Sequence, residues 1–279
     1  MLDLDAYLAR IGARGRPGLA ELHRAHVTSI PFENLDPRRG IPVSLDPEDL
    51  ERKLVHERRG GYCFEQNLLL KAGFEALGAE VDLLLARVRM GRLRDAPRPR
   101  THLVLRVRAE GADWHADVGF GNGTLLEPIP FGPGDVHEQA GWGFRVVEDG
   151  AELVLQSTRD GDWLDLYGFV PEPVPLIDVE TSNWFTSTHP RSPFVTGLIV
   201  SAQRPDGTRV SLSDWQGRLL LTEETPAGAS ERPVAPDEVG ALIATRFGLE
   251  GLVALRGIVR RDHRPDRYLR LRAGALAGG

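Results

Sequence analysis

Cys63 is the single cysteine of the chain, and its neighbours make it the first residue to weigh as a nucleophile. A lone cysteine is by default a small buried hydrophobe. Here it follows Arg58-Arg59-Gly60-Gly61-Tyr62 and opens a segment whose apolar positions Leu68, Leu69, Ala72, Phe74 and Leu77 have helical spacing. The unpaired N–H groups of a helix N-terminus stabilise a thiolate. Arg59 would add positive potential, and the glycine pair would let a substrate or cofactor come close. His102 starts an apolar strand after the loop 91–100, a position that holds an imidazole rigidly while facing it to a cleft. As a single residue it reads equally as a core-edge or surface histidine. Asp117 lies in the apolar stretch Trp114-His115-Ala116-Asp117-Val118-Gly119-Phe120, where a buried carboxylate needs a partner. Two adjacent antiparallel strands would bring Asp117 beside His102. Asp117 would then fix the imidazole tautomer, and His102 would take the proton of Cys63. Spacing alone does not single out this reading.

The elements that must position these residues change character along the chain. The first eighty residues read as helical: a short helix over Asp3 to Leu8, a second behind Pro17, a third from the Asp46 cap and Pro47 to about Arg58, and a fourth from Cys63 to Leu77 ended by Gly78. From Val81 the apolar period becomes two. Strands are expected at Val81 to Leu83, Leu85 to Arg89, Leu103 to Arg108, Trp114 to Val118, Leu125 to Ile129, Phe144 to Val147 and Leu153 to Gln156. A crossing at Pro171, Pro173 and Pro175 follows. Beyond it, strands are expected at Phe194 to Val200, Arg209 to Leu212 and Arg218 to Leu221, with a turn at Pro205-Asp206-Gly207 and a helix from Pro236 to Phe247. This order divides the chain into a helical bundle over residues 1–80 carrying the nucleophile, a β region over residues 81–190 carrying His102 and Asp117, and an α/β region over residues 191–279.

Composition excludes several classes. With 41% hydrophobic and 27% charged residues the chain reads as soluble and globular, and a net charge of -6 gives no signal for nucleic acid or acidic membranes. No secretory signal or membrane-length apolar run stands out, and one cysteine excludes an internal disulfide, so a reducing, cytoplasmic setting is expected. No metal is expected, because the histidines are scattered and form no ligand spacing. The arginine-rich run from Arg87 to Arg108 reads first as a solvated hairpin in an arginine-biased protein, and second as attraction for phosphates; a second basic stretch runs from Arg256 to Arg272, and neither reads as a nucleic-acid site.

Local motifs narrow the chemistry. Arg59-Gly60-Gly61-Tyr62-Cys63-Phe64-Glu65 closely resembles the active-cysteine motif of the arylamine N-acetyltransferase family. Pro31-Phe32-Glu33-Asn34-Leu35 resembles its upstream segment, and Asp117-Val118-Gly119-Phe120-Gly121 the segment with its triad aspartate. Asn183, Ser187-Thr188-His189-Pro190 and Ser192-Pro193-Phe194 resemble its signature after the barrel. The family's cysteine, histidine and aspartate fall on Cys63, His102 and Asp117. The resemblance implies an α+β fold with an N-terminal helical bundle, a central antiparallel β-barrel, a C-terminal α/β lid and a papain-like or transglutaminase-like catalytic core. It implies ping-pong transfer of an acetyl group from acetyl-CoA, a substrate rather than a resident cofactor, through Cys63 to an aromatic amine or hydrazine. It further implies Phe120 and Phe194 as walls of the acceptor pocket, and Gly119, Gly121 and Gly123 as the loop that CoA approaches.

Each of these has a plainer reading: core packing for the two phenylalanines, hairpin turns for the glycines. His189 reads as a structural hydrogen-bonding residue, and Glu65 as a buried or first-turn anion near Arg59, not a general base. Relatives that act as amide synthases, joining an aryl amine to a carrier-bound polyketide chain, use the same triad and are the alternative within the fold. A cysteine peptidase or transglutaminase shares the residue order but not the motif around Cys63. A non-catalytic binding protein would be expected to lack a triad member, and none is missing.

Overall fold

The structure, a computed structural model, describes residues 2–90, 98–159, 161–214 and 218–249. Five helices occupy the N-terminal region: α1 (Leu4–Ile11), α2 (Leu19–Ser29), α3 (Leu35–Arg38), α4 (Pro47–Glu51) and α5 (Cys63–Ala76). The caps follow the sequence. Asp3 accepts from the Ala6 N–H and Asp46 from the Glu48 N–H. The third expected helix does not run unbroken to Arg58. It is α-helical only to Glu51 and then widens into a π-helical turn, Arg52–His56, from which Lys53 points inward. Tyr7, Leu22, Leu70 and Phe74 pack α1, α2 and α5 together.

Polar side chains fix this bundle as firmly as apolar ones. The Tyr7 hydroxyl bonds His26 Nδ1 at 2.7 Å, and His26 Nε2 bonds Gln66 Oε1 on α5 at 2.7 Å. Gln66 Nε2 in turn donates to the carbonyls of Ile30, Pro31 and Gly61. His23 joins α2 to the β region: Nδ1 lies 3.0 Å from the Leu126 carbonyl, and Nε2 accepts the Asp117 backbone N–H at 3.2 Å. Both imidazoles are fully buried, and burial pulls His23 down to about 4 and His26 to about 3.

The β region is one eight-stranded antiparallel sheet in the order β5-β4-β3-β2-β9-β8-β7-β6. Its strands are β2 (Glu80–Val88), β3 (His102–Ala109), β4 (Ala112–Ala116), β5 (Ile129–Pro130), β6 (His137–Gln139), β7 (Trp142–Asp149), β8 (Glu152–Arg159) and β9 (Asp162–Phe169). The two segments expected at 81–83 and 85–89 are the single strand β2. Strands β2 and β3 are buried on both faces, which is why they read as nearly continuous apolar runs. Leu83, Leu85, Leu103 and Leu105 face the helices, whereas Leu84, Ala86 and Val104 face the interior of the curled sheet.

The sheet approaches a barrel without a backbone ladder between its edge strands β5 and β6 among the described residues. The Gln139 side chain closes the gap instead. Its Oε1 accepts from the N–H groups of Leu126 and Glu127, and its Nε2 donates to the Glu127 carbonyl. The strand expected over Leu125 to Ile129 is therefore mostly absent, because the N–H groups that would pair with a neighbouring strand go to a side chain.

Past the prolines, α6 (Leu176–Thr188) appears where only a crossing is expected; its Leu176, Ile177 and Trp184 are exposed, so no clear apolar face marks it. The strand expected from Phe194 begins only at Ile199. The Ser192 side chain accepts from the Phe194 N–H and Pro193 stands at the first helical position, so the chain makes the short helix α7 (Pro193–Thr196) first. A second sheet follows: β10 (Ile199–Gln203), β11 (Arg209–Ser213), β12 (Leu220–Thr225) and β13 (Gly228–Pro233). Helix α8 (Val239–Phe247), ended by Gly248, packs on it. The edge of this sheet is β1 (Phe32–Glu33), which reaches in from between α2 and α3 and pairs with β10. The neighbouring Asn34 side chain donates to the Phe194 and Gly197 carbonyls and accepts from the Ile199 N–H.

Gln139→Leu leaves the buried Leu126 N–H and both Glu127 backbone groups without these partners. A loss of about 2 kcal/mol is expected in urea unfolding; an unchanged midpoint would show that the sheet does not need this closure.

His23 and His26 set an acid limit on stability. Unfolded, each protonates near the ordinary 6.5; folded, only near 4 and 3. The unfolded chain binds these protons first, so the stability they confer is present above about 6.5 and declines below it, by up to about 1.4 kcal/mol per pH unit for each histidine. The urea midpoint should fall steadily between about pH 6.5 and about pH 4. A flat midpoint through that window would contradict the buried, neutral assignment of both residues.

Candidate active site

The approach to Cys63 is built by close backbone contact. A Cβ on Gly60 would stand 2.2 Å from the Pro31 carbonyl oxygen, and one on Gly61 would stand 2.8 Å from the Glu65 carboxylate. Only glycine lets this segment pass beneath the one that leads into β1. Glu65, in the first turn of α5, accepts the Tyr62 N–H at 3.0 Å and so anchors the residue before the cysteine. Its other oxygen takes Lys53 Nζ at 2.6 Å, and Lys53 also reaches Asp36 at 2.7 Å. Burial, with Glu33 nearby, outweighs Lys53 and pushes the Glu65 carboxyl up. Arg59 bonds Glu33 and Asp36. Glu65 is thus the expected buried first-turn anion, with Lys53 rather than Arg59 as its partner. Arg59, facing two carboxylates, is a structural cation rather than a field acting on the thiol.

Helix α5 then presents Cys63 and Asn67 one turn apart on one face. Asn67 Nδ2 donates to the Leu103 carbonyl at 2.7 Å and to Asp117 Oδ1 at 2.9 Å, while its Oδ1 accepts the Val118 N–H at 3.0 Å. One amide therefore ties the nucleophile's helix to β3 and to the segment after β4. Gly119 completes the fit: a Cβ there would lie 2.6 Å from Cys63 Cα.

Cys63, His102 and Asp117 come together as the sequence leads one to expect. All three are buried. His102 Nε2 lies 2.7 Å from Asp117 Oδ2. His102 also lies close enough to Cys63 for the sulfur to act on its charge. Cys63 Sγ lies 3.7 Å from the Thr101 carbonyl oxygen. Asp117 Oδ1 accepts from Asn67 and from the Gly119 N–H at 2.8 Å, and the Tyr167 hydroxyl lies 2.8 Å from His115 Nε2 on β4. Burial pushes Asp117 up, but His102 and these donors outweigh it and hold the carboxyl below its usual range. Burial likewise pulls His102 down, but the charge and hydrogen bond of Asp117, with a smaller contribution from Cys63, overcome it and raise the imidazole to about 10. At neutral pH the site holds an imidazolium between a carboxylate and a sulfur.

The remaining residues picked out in the sequence fall as follows. The Phe120 ring meets His102 edge-on at 5.3 Å and Tyr167 at 5.1 Å. Phe194 packs on Tyr62 at 5.5 Å and on Phe32 at 6.1 Å. Gly121 (φ +80°) lies against Ser201 and Phe32, and Gly123 (φ +106°) near Leu166 and Arg209. Asn183 accepts a hydrogen bond from the Tyr62 hydroxyl and donates to the Val43 carbonyl at 2.9 Å. His189 stacks on Phe185 at 4.5 Å and accepts the Arg191 N–H, a structural task. Arg87, Arg106 and Arg108 pair with carboxylates at the strand surface, and Arg89, largely buried just after β2, pairs with Asp149, Glu152 and Asp165. Arg92, Arg94 and the stretch 256–272 lie outside the described residues.

A cavity of about 350 Å³ shares Thr101 with the site and is lined by Leu85, Val174, Thr181 and Phe185 among others. Sequence reasoning missed Asn67, Gln66, His23 and Tyr167. Asn67 alone left a signal, a polar residue four positions after the cysteine on an otherwise apolar helix.

Known proteins resemble this chain over most of its length. A family model described as N-acetyltransferase matches residues 17–254. The arylamine N-acetyltransferase of Mycolicibacterium smegmatis is 45% identical over 258 residues, covering 89% of this chain and 92% of the relative. The solved structure of the Mycobacterium marinum arylamine N-acetyltransferase has a TM-score of 0.86 at 38% identity, covering 92% of this chain and 97% of that one. A structure of the Mycobacterium marinum enzyme in complex with CoA has a TM-score of 0.83, also at 38% identity, covering 88% and 93% of the two chains. With sequence, fold and buried cysteine site in agreement, the chain belongs to the arylamine N-acetyltransferase family.

Proposed function

We propose that the protein carries the acetyl group of acetyl-CoA to an aromatic amine or hydrazine through a thioester on Cys63, with His102 and Asp117 as its proton relay. Membership of the family supports acyl transfer from acetyl-CoA. The observation that carries the residue assignment is the buried His102 ring, 2.7 Å from Asp117 and beside the one cysteine, with its pKa raised by that carboxylate. The Cys63 thiolate attacks the carbonyl carbon of acetyl-CoA. A carbon–sulfur bond to Cys63 forms, the bond to CoA breaks, and the leaving CoA thiolate takes the His102 proton. The amine nitrogen then attacks the thioester, His102 takes its proton, and the Cys63 thiolate leaves. The Cys63 N–H, first in α5 and without an intrahelical acceptor, is placed to stabilise the oxyanion.

Phe120 against His102 and Phe194 against Tyr62 support an acceptor pocket with aromatic walls, suited to a flat, neutral amine. Gly119, lying on the Cys63 backbone, carries the loop of Gly119, Gly121 and Gly123 past the thiol, which supports its reading as the approach for CoA. A free thiol nucleophile suits a reducing, cytoplasmic setting. No helix among the described residues is long and apolar enough to cross a membrane.

Incubation with acetyl-CoA and no amine should add one acetyl group to the wild-type mass and none to Cys63→Ala. An adduct that persists in Cys63→Ala would remove the thioester. Asp117→Asn should stay folded and lose activity by about 10⁴-fold, as in a comparable triad. With a panel of acceptors, CoA release should follow aryl amines and hydrazines with short acyl-CoA donors. Refusal of short donors with consumption of long carrier-bound chains would make the protein an amide synthase.

A further inference from the structure

Lys53 is a buried amine that the chemistry proposed above does not use. The chain leaves regular helix to bury it. The π-helical turn Arg52–His56 carries Lys53, Leu54 and Val55 inward, and single turns of this kind occur frequently at functional sites. Leu54 and Val55 join the apolar core, whereas Lys53 brings in a charge. Its Nζ lies 2.6 Å from Glu65 Oε1 and 2.7 Å from Asp36. Arg59 already serves Asp36 and Glu33, so among the described residues Lys53 is the cation that pairs with Glu65.

From Glu65 the contact runs on to the backbone of the nucleophile. Glu65 Oε2 accepts the Tyr62 N–H at 3.0 Å, so one carboxylate bridges an ammonium and a peptide N–H. The neighbouring backbone is fastened too. The Gly61 carbonyl accepts the Glu33 N–H at 3.0 Å and Gln66 Nε2 at 3.2 Å, and the Tyr62 carbonyl accepts the Gln66 N–H at 3.0 Å. At its far end the Tyr62 hydroxyl donates to Asn183. The Cys63 N–H differs from all of these. It is the first of α5, and among the described residues nothing accepts it. The peptide plane that carries it begins at Tyr62, so the fastenings of Tyr62 set where it points. The bond to Glu65 is the charged one among them.

We infer that Lys53 is a positioning residue for acyl transfer: through Glu65 and the Tyr62 N–H it aims the Cys63 N–H at the oxyanion. This rests on the thioester reading given above. As the Cys63 sulfur bonds the carbonyl carbon of acetyl-CoA, the carbonyl electron pair moves onto oxygen and the Cys63 N–H donates to it. The pair returns as the bond to the CoA sulfur breaks. A donor lowers this barrier only where it meets the oxygen that becomes negative. A hydrogen bond to a carboxylate is shorter and stronger than one to a neutral acceptor, so a charged Glu65 holds Tyr62 more tightly than a neutral side chain would. Lys53 is what keeps that charge in place. Without it, burial and Glu33 act on Glu65 unopposed, and the charged grip on the Tyr62 N–H is lost.

Two reactions of one sulfur separate this role from a merely structural one. Alkylation of Cys63 by iodoacetamide displaces iodide at a saturated carbon and builds no oxyanion. Acetylation by acetyl-CoA passes through one. Lys53→Met should slow acetylation, followed by mass, about 10-fold to 100-fold. The KM for acetyl-CoA and the rate of alkylation should stay unchanged. Glu65→Gln should behave in the same way. The double variant should be no slower than the slower single one, since both break one connection. It removes both charges of the pair, and it carries the comparison where a single variant fails to fold. Alkylation that slows in step with acetylation would leave Lys53 a structural residue and overturn the inference. Wild-type acetylation in folded Lys53→Met, or losses that multiply in the double variant, would overturn it as well. A wild-type protein that is alkylated at Cys63 but takes no acetyl group would instead overturn the thioester reading, and the role of Lys53 with it.

Discussion

The Asp117 carboxylate is the interaction on which the rest depends. It is buried, and burial by itself pushes its pKa up. It stays charged because donors from separate parts of the fold converge on it: His102 at the start of β3 and Asn67 on α5, with the Gly119 N–H of its own loop. Its own N–H is taken by His23 from α2. A charge that needs this many partners in place holds the helical bundle and the curled sheet in one register. The same charge keeps His102 protonated next to sulfur. Fold and reactivity therefore draw on one electrostatic balance, and weakening it should affect both.

Around that carboxylate the chain uses close backbone approach where most proteins use side-chain packing. Gly60, Gly61 and Gly119 each stand where a Cβ would meet backbone or the Glu65 side chain at under 3 Å. They bring the cysteine's helix against β1 on one side and against the Asp117 loop on the other. A buried set of charges, Glu33, Asp36, Lys53, Arg59 and Glu65, then pins the entry to α5 from outside the reactive centre. Such a set adds little net stability compared with apolar packing, but losing one member strands the others. Its contribution is orientation: Glu65 fixes the Tyr62 N–H, and Tyr62 leads directly into Cys63.

The features of this arrangement that are legible in the sequence are the ones coded locally. Cys63, His102 and Asp117 stand out because a thiol at a helix start, an imidazole at a strand start and an acid in an apolar strand are each unusual on their own. Helices α1 and α5 and strands β2 and β3 declare themselves by cap and period. Tyr167, Gln66 and His23 do not, because their roles depend on which elements become neighbours. Nothing near residue 167 says that β9 will lie beside β2, and only that pairing brings Tyr167 to His102 and His115. Helix α6 stays hidden because its exposed Ile177 and Trp184 break the amphipathic pattern. The strand expected at Leu125 to Ile129 fails because the Gln139 side chain takes the N–H groups a strand would use.

That Asp117 keeps His102 cationic beside Cys63 is tested most directly by titrating the His102 ring by NMR in the wild type and in Asp117→Asn. In the wild type the ring should remain an imidazolium through neutral pH and lose its proton only near 10. In Asp117→Asn burial acts with the attraction removed, so the ring should be neutral at pH 7. A wild-type His102 that is already neutral at pH 7, or a titration that Asp117→Asn leaves in place, would contradict the account.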